Sequence, residues 1–451
     1  MPLREAIETY HALLADDALV QESQAQLEDQ LRRRGLFFGE RALCTVLRPR
    51  FFTPEQHRFL QQRVRPVMRA FGKAYQAAMA DPGVRAQFGL QQWEEELVAH
   101  DPGYPVPNPT ARLDAFFVTD RGGLRFMEFN GEVPAGGAYN DALAEAFLGL
   151  PVLGEFLRRY EVRPLPARHG VLHTLRDAYR QWGGGREAPR IAILDWREVP
   201  TYSEFVLFAD YFRAQGLECE IVDPREVEYR DGRLMAGPFH ITMIYKRVLI
   251  SELVQRGGLD QPVVRAVRDG AVCMVNPFRC KILHKKASLA VLSDERNAHL
   301  FTPEECATID AHIPWTRRVE DRQTLYRGQR IDLLPFIAEH REHFVLKAND
   351  EYGGTGVLLG WETDPAEWEH TLRTALTEPY VVQERVALTS EPYPSLVDGT
   401  VQIADRMVDS NPFVFHGDYM DGCLTRLSTA ALLNVTAGGG STVPTFVVER
   451  R

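Results

Sequence analysis

Two short stretches carry residue types from which chemistry could be built. In the first, Glu128-Phe129-Asn130 sets a carboxylate and an amide two residues apart, with Asp114 upstream. On a strand, side chains two apart share a face. Glu128 and Asn130 therefore project together, Met127 and Phe129 turn to the core, and Asp114 converges from a neighbouring strand. Two carboxylates and an amide oxygen form a hard-oxygen set suited to Mg²⁺, which keeps water or phosphate ligands of its own; the same spacing also suits a solvated hairpin face. In the second stretch, Phe344-Val345-Leu346-Lys347 ends an apolar strand on an ammonium, and Gly353, Gly354 and Gly356 follow. Such glycines let backbone N–H groups approach an anion without interference from Cβ. A P-loop places its lysine after the glycines, and a dinucleotide fingerprint opens a helix, so the residue order excludes both. An ordinary glycine-rich hairpin has the same composition, and the elements around these residues must decide.

Residues 112–119 and 124–129 read as two strands around Asp120-Arg121-Gly122-Gly123, a hairpin signal. Ahead of them, residues 1–109 read as mainly helical: Thr53, Pro54 and Gln56 make a capping-box start, and Phe59, Leu60, Val64, Val67, Met68 and Phe71 recur at helical spacing. Nothing catalytic stands out there, and His57 and His100 read as surface or core histidines. After Gly183-Gly184-Gly185, a strand at 190–195, a helix at 203–215 and strands at 218–222 and 241–245 alternate as a βαβ unit with a parallel sheet. No dinucleotide glycines follow its first strand, which makes this a substrate-side lobe. Asn276-Pro277 leads into a helix carrying Lys281, Lys285 and Lys286. A strand at 380–386 ends on Gln383-Glu384, where backbone groups could read the edge of an adenine ring.

At 451 residues and 45% apolar content, the chain is globular and long enough for two or three lobes. A net charge of −10 excludes a general nucleic-acid or membrane-surface binder, so any anion site must be local. The six cysteines form no C-x-x-C pair or Cys/His cluster and read as reduced thiols of a cytoplasmic protein. Charged residues break up positions 1–20, so no signal peptide is expected, and the lack of an 18-residue apolar run argues against a membrane span. Only six basic residues are lysine, and five of them, Lys246, Lys281, Lys285, Lys286 and Lys347, fall within one stretch. In an arginine-rich chain, retained lysines suggest places for a compact ammonium, as beside phosphates.

The order of these residues resembles the ATP-grasp superfamily, in particular its circularly permuted branch that includes glutathionylspermidine synthases, over roughly residues 110–451. In unpermuted members the E-x-N metal motif comes last. Here Glu128-Phe129-Asn130 comes first, after Arg112-Leu113-Asp114, as in the permuted branch. The resemblance implies an α/β permuted ATP-grasp fold with a helical N-terminal region (1–109), a metal-binding hairpin (110–165), a preATP-grasp-like lobe (186–275) and a nucleotide-binding part (276–451) whose lid spans about 313–375. It implies ATP and Mg²⁺ as cofactors, with Asp114, Glu128 and Asn130 as metal ligands. Lys286 resembles the first ATP lysine and Lys347 the second. Gly353, Gly354 and Gly356 correspond to the lid loop, Gln383, Glu384 and Val386 to the adenine hinge, and Arg426 to a phosphate arginine, while Arg112 would orient a carboxylate or the γ-phosphate.

The implied activity is ATP-dependent carboxylate–amine ligation through an acyl phosphate, with small-molecule acid and amine as partners and neither nucleic acid nor membrane. No covalent nucleophile is needed, in keeping with the lack of a Ser/His or Cys/His constellation. A kinase acting on a small molecule and a non-catalytic nucleotide-binding protein are the alternatives. The chain departs from the glutathionylspermidine synthases in two places. Gly131-Glu132-Val133-Pro134 stands where they read Ala-Asp-Thr-Pro, and Cys44 has no histidine partner motif of an amidase domain. Glu132 is then either a contact for a cationic amine or a solvated side chain, and Asn434 with Gly438-Gly439-Gly440 would contact substrate or phosphate.

Overall fold

The structure, a computed structural model, describes residues 3–118, 123–185, 187–351, 353–429 and 440–451. Its largest sheet is built around the antiparallel strands Thr110–Val118 and Gly123–Asn130. Asn411–Phe415 pairs with the first of these, Tyr419–Ser428 with Asn411–Phe415, and the hairpin Thr389–Val397/Thr400–Val408 forms the far edge. The last strand, Ser441–Arg450, joins Tyr419–Ser428 and carries Arg50–Phe52 and Tyr160–Pro164. The tip of the central hairpin, residues 119–122, lies outside the described residues, as do Asn434, Gly438 and Gly439.

Register departs from strict alternation at one point that matters for the site. Asp114 faces Glu128, but Ala115 faces Phe126, so Met127 is an extra residue in its strand. Such a bulge re-aims side chains. Phe126 and Phe129 occupy the core at 0% and 1% exposure, and Met127, expected in the core, lines a cleft beside Glu128.

Four parallel strands, Cys219–Val222, Ile191–Leu194, Met243–Lys246 and Cys273–Val275 in that spatial order, form a second sheet. Helices cover both of its faces, as a parallel sheet requires. Ile191 and Ile193 pack against helices Arg168–Trp182 and Tyr202–Ala214, and Ala192 and Leu194 against Pro262–Arg268.

A third sheet is antiparallel, in the order Thr316–Arg318, Tyr380–Glu384, Phe344–Ala348, Val357–Leu359. Helices Leu333–Glu339 and Pro365–Thr374 bury one face of it, where Phe344, Leu346, Val382 and Trp368 form a core. By the two-residue period, Val345 and Lys347 then face the opposite side, toward the hairpin.

The long helix Pro54–Ala80 starts on the expected capping box, in which the Gln56 amide donates to Thr53 Oγ1 and the Thr53 amide to Gln56 Oε1. The helix lays Phe71 on Phe129 with ring centres 4.7 Å apart, so the N-terminal helices share a core with the hairpin. The expected single helix through Lys281, Lys285 and Lys286 is instead two short ones, Cys280–His284 and Ala287–Ser293, with the last two lysines at the break. The break sends Lys285 and Lys286 in different directions. No helix among the described residues is long and apolar enough to cross a membrane.

Candidate active site

A cleft of about 410 Å³ lies between the hairpin and the third sheet, within the size range of small-molecule sites. Lys347 pairs with Val357 and Val345 with Leu359, and the Gly360 amide bonds to the Phe344 carbonyl, so the strand leads away from Lys347 to a turn that carries Trp361. The cleft thus has two ends. Phe116, Val345, Leu359, Trp361 and Leu388 give one a largely apolar lining in which Arg385 lies over the Trp361 ring, and Asp114, Glu128, Lys347, Asp409 and Arg426 make the other charged.

At the charged end Asp114 accepts from Arg112 through both oxygens, at 2.7 and 3.1 Å, and from Arg426 at 2.7 Å. Burial opposes its ionisation, but the two guanidinium groups outweigh that and hold the carboxyl well below the usual range. Arg426 is tethered from its other side by Asp409, which takes its Nε at 2.6 Å and its amide at 2.7 Å and is itself bonded by Asn411 Nδ2. Glu128 faces the cleft at 28% exposure, 3.2 Å from Lys286. There too burial is outweighed, by Lys286 and Lys347, and the carboxyl titrates below its ordinary value.

Lys347 donates to Gln383 Oε1 at 2.7 Å and to the Met127 carbonyl at 3.3 Å. Burial, only partly offset by Glu128, brings its pKa down to about 8. The Asn130 amide nitrogen is buried without a partner. The two ends of an amide are assigned from their hydrogen bonds, so this unpartnered amide can turn its oxygen to a cation. Asp114 and Glu128 are ionised and opposite one another in register, so with Asn130 they offer a hard-oxygen set of the kind Mg²⁺ takes. Glu128 and Asn130 are the freer donors, because both Asp114 oxygens already accept from guanidinium groups.

Several expected site residues sit elsewhere. Arg112 lies against Asp114 and the Ala135 carbonyl and does not line the cleft. Lys286 reaches Glu128 and the Glu351 carbonyl, bridging the hairpin to the glycine loop. Gly353, Gly354 and Gly356 have φ of 65, 83 and 67°, a region other residues enter only with strain, and a Cβ on Gly356 would lie 2.7 Å from that of Ala348. Val386 lines the cleft, but the side chains of Gln383 and Glu384 do not. The Gln383 amide is taken up between Lys347 and Thr316 Oγ1, and Glu384 accepts from Tyr326 and Arg327. Gln383 is thereby a holder of Lys347. Asp409 and Trp361 were not anticipated. Asp409-Ser410-Asn411 repeats the two-residue polar spacing of Glu128-Phe129-Asn130 and could have been read the same way; Trp361 carried no comparable signal.

Glu132 is neither solvated nor free for an amine. It is fully buried, accepts from the Ile250 amide at 2.6 Å, and lies 3.1 Å from Lys281 and 3.8 Å from Lys246. Its surroundings hold a second charged cluster, in which Lys281 also meets Asp350 at 2.7 Å, and Lys285 meets Glu94 at 2.7 Å and Asp350 at 2.9 Å. Ligand atoms of Glu132, His284 and Asp350 come within 4.8 Å of one another. The Lys281 ammonium already bridges the two carboxylates, so the place a cation would take is filled. Burial, against the pull of Glu132, pushes the His284 pKa down to about 4 and keeps the ring neutral.

A family model described as circularly permuted ATP-grasp type 2 matches residues 116–428. An uncharacterized protein of Synechocystis sp. is 25% identical over 278 residues, 56% of this chain and 52% of that protein. A protein of Frankia casuarinae named "Putative glutamate--cysteine ligase 2-2" is 24% identical over 339 residues, 71% of this chain and 36% of that protein. The chain therefore spans about half of the first relative's length and about a third of the second's. Among solved structures, a glutathione synthetase-like effector from Globodera pallida in its apo form matches with a TM-score of 0.58 at 13% identity, over 96% of this chain and 98% of the other, a likeness of fold alone.

Proposed function

The chain belongs to the circularly permuted ATP-grasp type 2 family, and from that premise we propose that it is an ATP-dependent carboxylate–amine ligase working through an acyl phosphate. The observation that carries this reading is the two-ended cleft, in which an apolar slot leads to Lys347, Arg426, Glu128 and Asp114. A flat base suits the slot, and a polyphosphate suits the cations beyond it. The Frankia relative's name is that of a ligase of the same reaction class. For a glutathionylspermidine synthase-like subtype, the support is the order of the R-x-D and E-x-N motifs alone.

In the proposed reaction an oxygen of the acid attacks the γ-phosphorus and ADP leaves. The amine nitrogen then attacks the acyl carbon, losing a proton as phosphate departs. Mg²⁺ held by Asp114, Glu128 and Asn130 would neutralise phosphate charge in the first step. The chain's own groups do the rest. Gln383 fixes the Lys347 ammonium, Asp409 aims Arg426 at the charged end, and Lys286 joins them, so cations are in place before charge develops on the transferring group. Amides of the glycine loop would cover the phosphates, and the apolar walls would keep water from the acyl phosphate. Acid and amine would meet between the parallel-sheet lobe and the hairpin, beside the γ-phosphate.

Incubation with MgATP and a pooled metabolite extract, followed by mass spectrometry, tests this. The expected result is a product whose mass is that of an acid plus an amine less water, formed with ADP. Phosphorylated alcohols alone would make the protein a kinase, and ADP with no condensation product would also overturn the ligase reading.

A further inference from the structure

We propose that Trp361 and Arg385 form the platform on which the nucleotide's base stacks, an assignment that rests on the nucleotide reading of the cleft and names a base-recognising contact within it. Both side chains line the cleft, and the Arg385 guanidinium lies 4.0 Å over the centre of the Trp361 ring. They arrive from different elements. Trp361 follows the strand Val357–Leu359, and Arg385 follows the strand Tyr380–Glu384, its amide bonded to the His343 carbonyl at 2.8 Å.

Their distance from the phosphate end is set by the ladder. Val357 is the partner of Lys347; the strand carries the chain about 7 Å on to Leu359, and Trp361 stands in the turn just beyond its end, so ring and ammonium are set apart along the cleft, with ribose and phosphates to lie between them. The packing of the sheet does not account for the indole. The core on its other face is filled by Phe344, Leu346, Val382 and Trp368 without Trp361, which stays partly exposed with its N–H on Glu362 at 3.1 Å.

The hinge side chains able to read the ring are taken: Gln383 by Lys347 and Thr316, Glu384 by Tyr326 and Arg327. Stacking, with the backbone of 386–388, is what remains for the base. Stacking on an aromatic face is indifferent to the length of the phosphate chain, so ATP, ADP and AMP should share this contact and inorganic triphosphate should not.

Calorimetric titration of the full chain with ATP, AMP and inorganic triphosphate, in Mg²⁺, separates the outcomes. Trp361→Ala should weaken ATP and AMP by the same factor of about tenfold and leave inorganic triphosphate unchanged. Arg385→Ala should weaken both nucleotides by about threefold. Trp361→Phe should keep most of the affinity and lose the fluorescence change that ATP produces in the wild type. Unchanged ATP affinity in Trp361→Ala would overturn the assignment and leave the nucleotide reading standing. An equal loss of inorganic triphosphate together with a lower melting temperature would also overturn it, by showing that Trp361 props up the sheet. If the wild type bound no nucleotide, both this assignment and the reading beneath it would fall.

Discussion

Glu128 and Glu132 are four residues apart, and Lys285 and Lys286 are adjacent, yet each pair is divided between two clusters with opposite surroundings. In the closed cluster, Glu94, Glu132 and Asp350 meet Lys246, Lys281 and Lys285, three charges against three, and the Glu132 side chain is 0% exposed. In the open cluster, Glu128 is a quarter exposed to the cleft, the Asn130 amide nitrogen lacks a partner, and burial that its partners do not repay lowers the Lys347 pKa to about 8. Buried polar groups are normally satisfied. The carboxylates and ammonium groups of the closed cluster follow that rule, although the neutral His284 beside them keeps an unpartnered Nδ1, and they read as scaffold; the open cluster breaks the rule where an anion and a cation would complete it. The two meet at the glycine loop. Asp350 anchors its near shoulder, Asn349 bonds the amides of Lys286 and Ala287, and Gly353, Gly354 and Gly356 lie just beyond that fixed point.

The closed cluster should show the largest effect on stability. Lys281→Met removes the ammonium that meets Glu132, Asp350 and Glu94 together; Glu94 and Asp350 keep Lys285, but Glu132 is left with Lys246 at 3.8 Å. The expected cost is about 3–5 kcal/mol of folding free energy in urea denaturation, the usual penalty for breaking a buried ion pair from one side. A loss under about 1 kcal/mol would mean that the cluster behaves like a surface network. The pH dependence has a definite sign. Burial opposes ionisation of Glu132, but Lys281 and Lys246 outweigh it and bring its pKa from 4.5 to about 2. Its contribution is therefore full above pH 4.5 and is lost as pH falls toward 2. Without Lys281 that acid limb should flatten.

Glu128→Gln should do the opposite. Stability should stay within about 1 kcal/mol, because Glu128 is partly solvated and Lys286 keeps the Glu351 carbonyl. Magnesium-dependent ADP formation should fall by about a hundredfold or more, roughly 3 kcal/mol in barrier. Full activity in this variant would remove Glu128 from the chemistry. A large loss of stability would erase the distinction between the clusters.

Much of the open cluster was legible because strand parity is local. Two-residue spacing put Glu128 with Asn130 without knowledge of the fold, and the apolar run Phe344-Val345-Leu346 put Lys347 at the end of a strand. Met127 escaped because one extra residue inverts parity, and nothing in the sequence marks the bulge. The closed cluster was illegible for a different reason. Glu94, Glu132, Lys246, Lys281 and Asp350 come from five separate segments, and a charged residue reads as solvated until its partners are known. Glu132 was thus open to being a substrate contact, although its partners are the chain's own lysines. Gln383 shows the same limit on a smaller scale, since its partner Lys347 belongs to the adjacent strand.

The smallest expected effect is a fraction of a proton, and it separates the clusters most finely. Lys347 has an ordinary value of 10.5 and is brought to about 8 by burial, with Glu128 pulling it up and Lys286 pushing it down. The carboxylates facing it, Glu128 and Asp114, titrate below their ordinary ranges and stay ionised at that pH. A polyphosphate beside Lys347 adds negative charge and raises its pKa again, while the nucleotide's own phosphates are already ionised there. Between pH 8 and 10.5, binding of ATP should therefore draw a proton onto the protein, and affinity should fall as pH rises through about 8. Calorimetry in two buffers of different ionisation heat would count that proton, and Lys347→Met should abolish it. Lys281 should add nothing to the count, because its carboxylates more than offset burial and hold it charged throughout. Equal proton uptake in the wild type and in Lys347→Met would place the titrating group elsewhere and leave Lys347 no less settled than the lysines of the closed cluster.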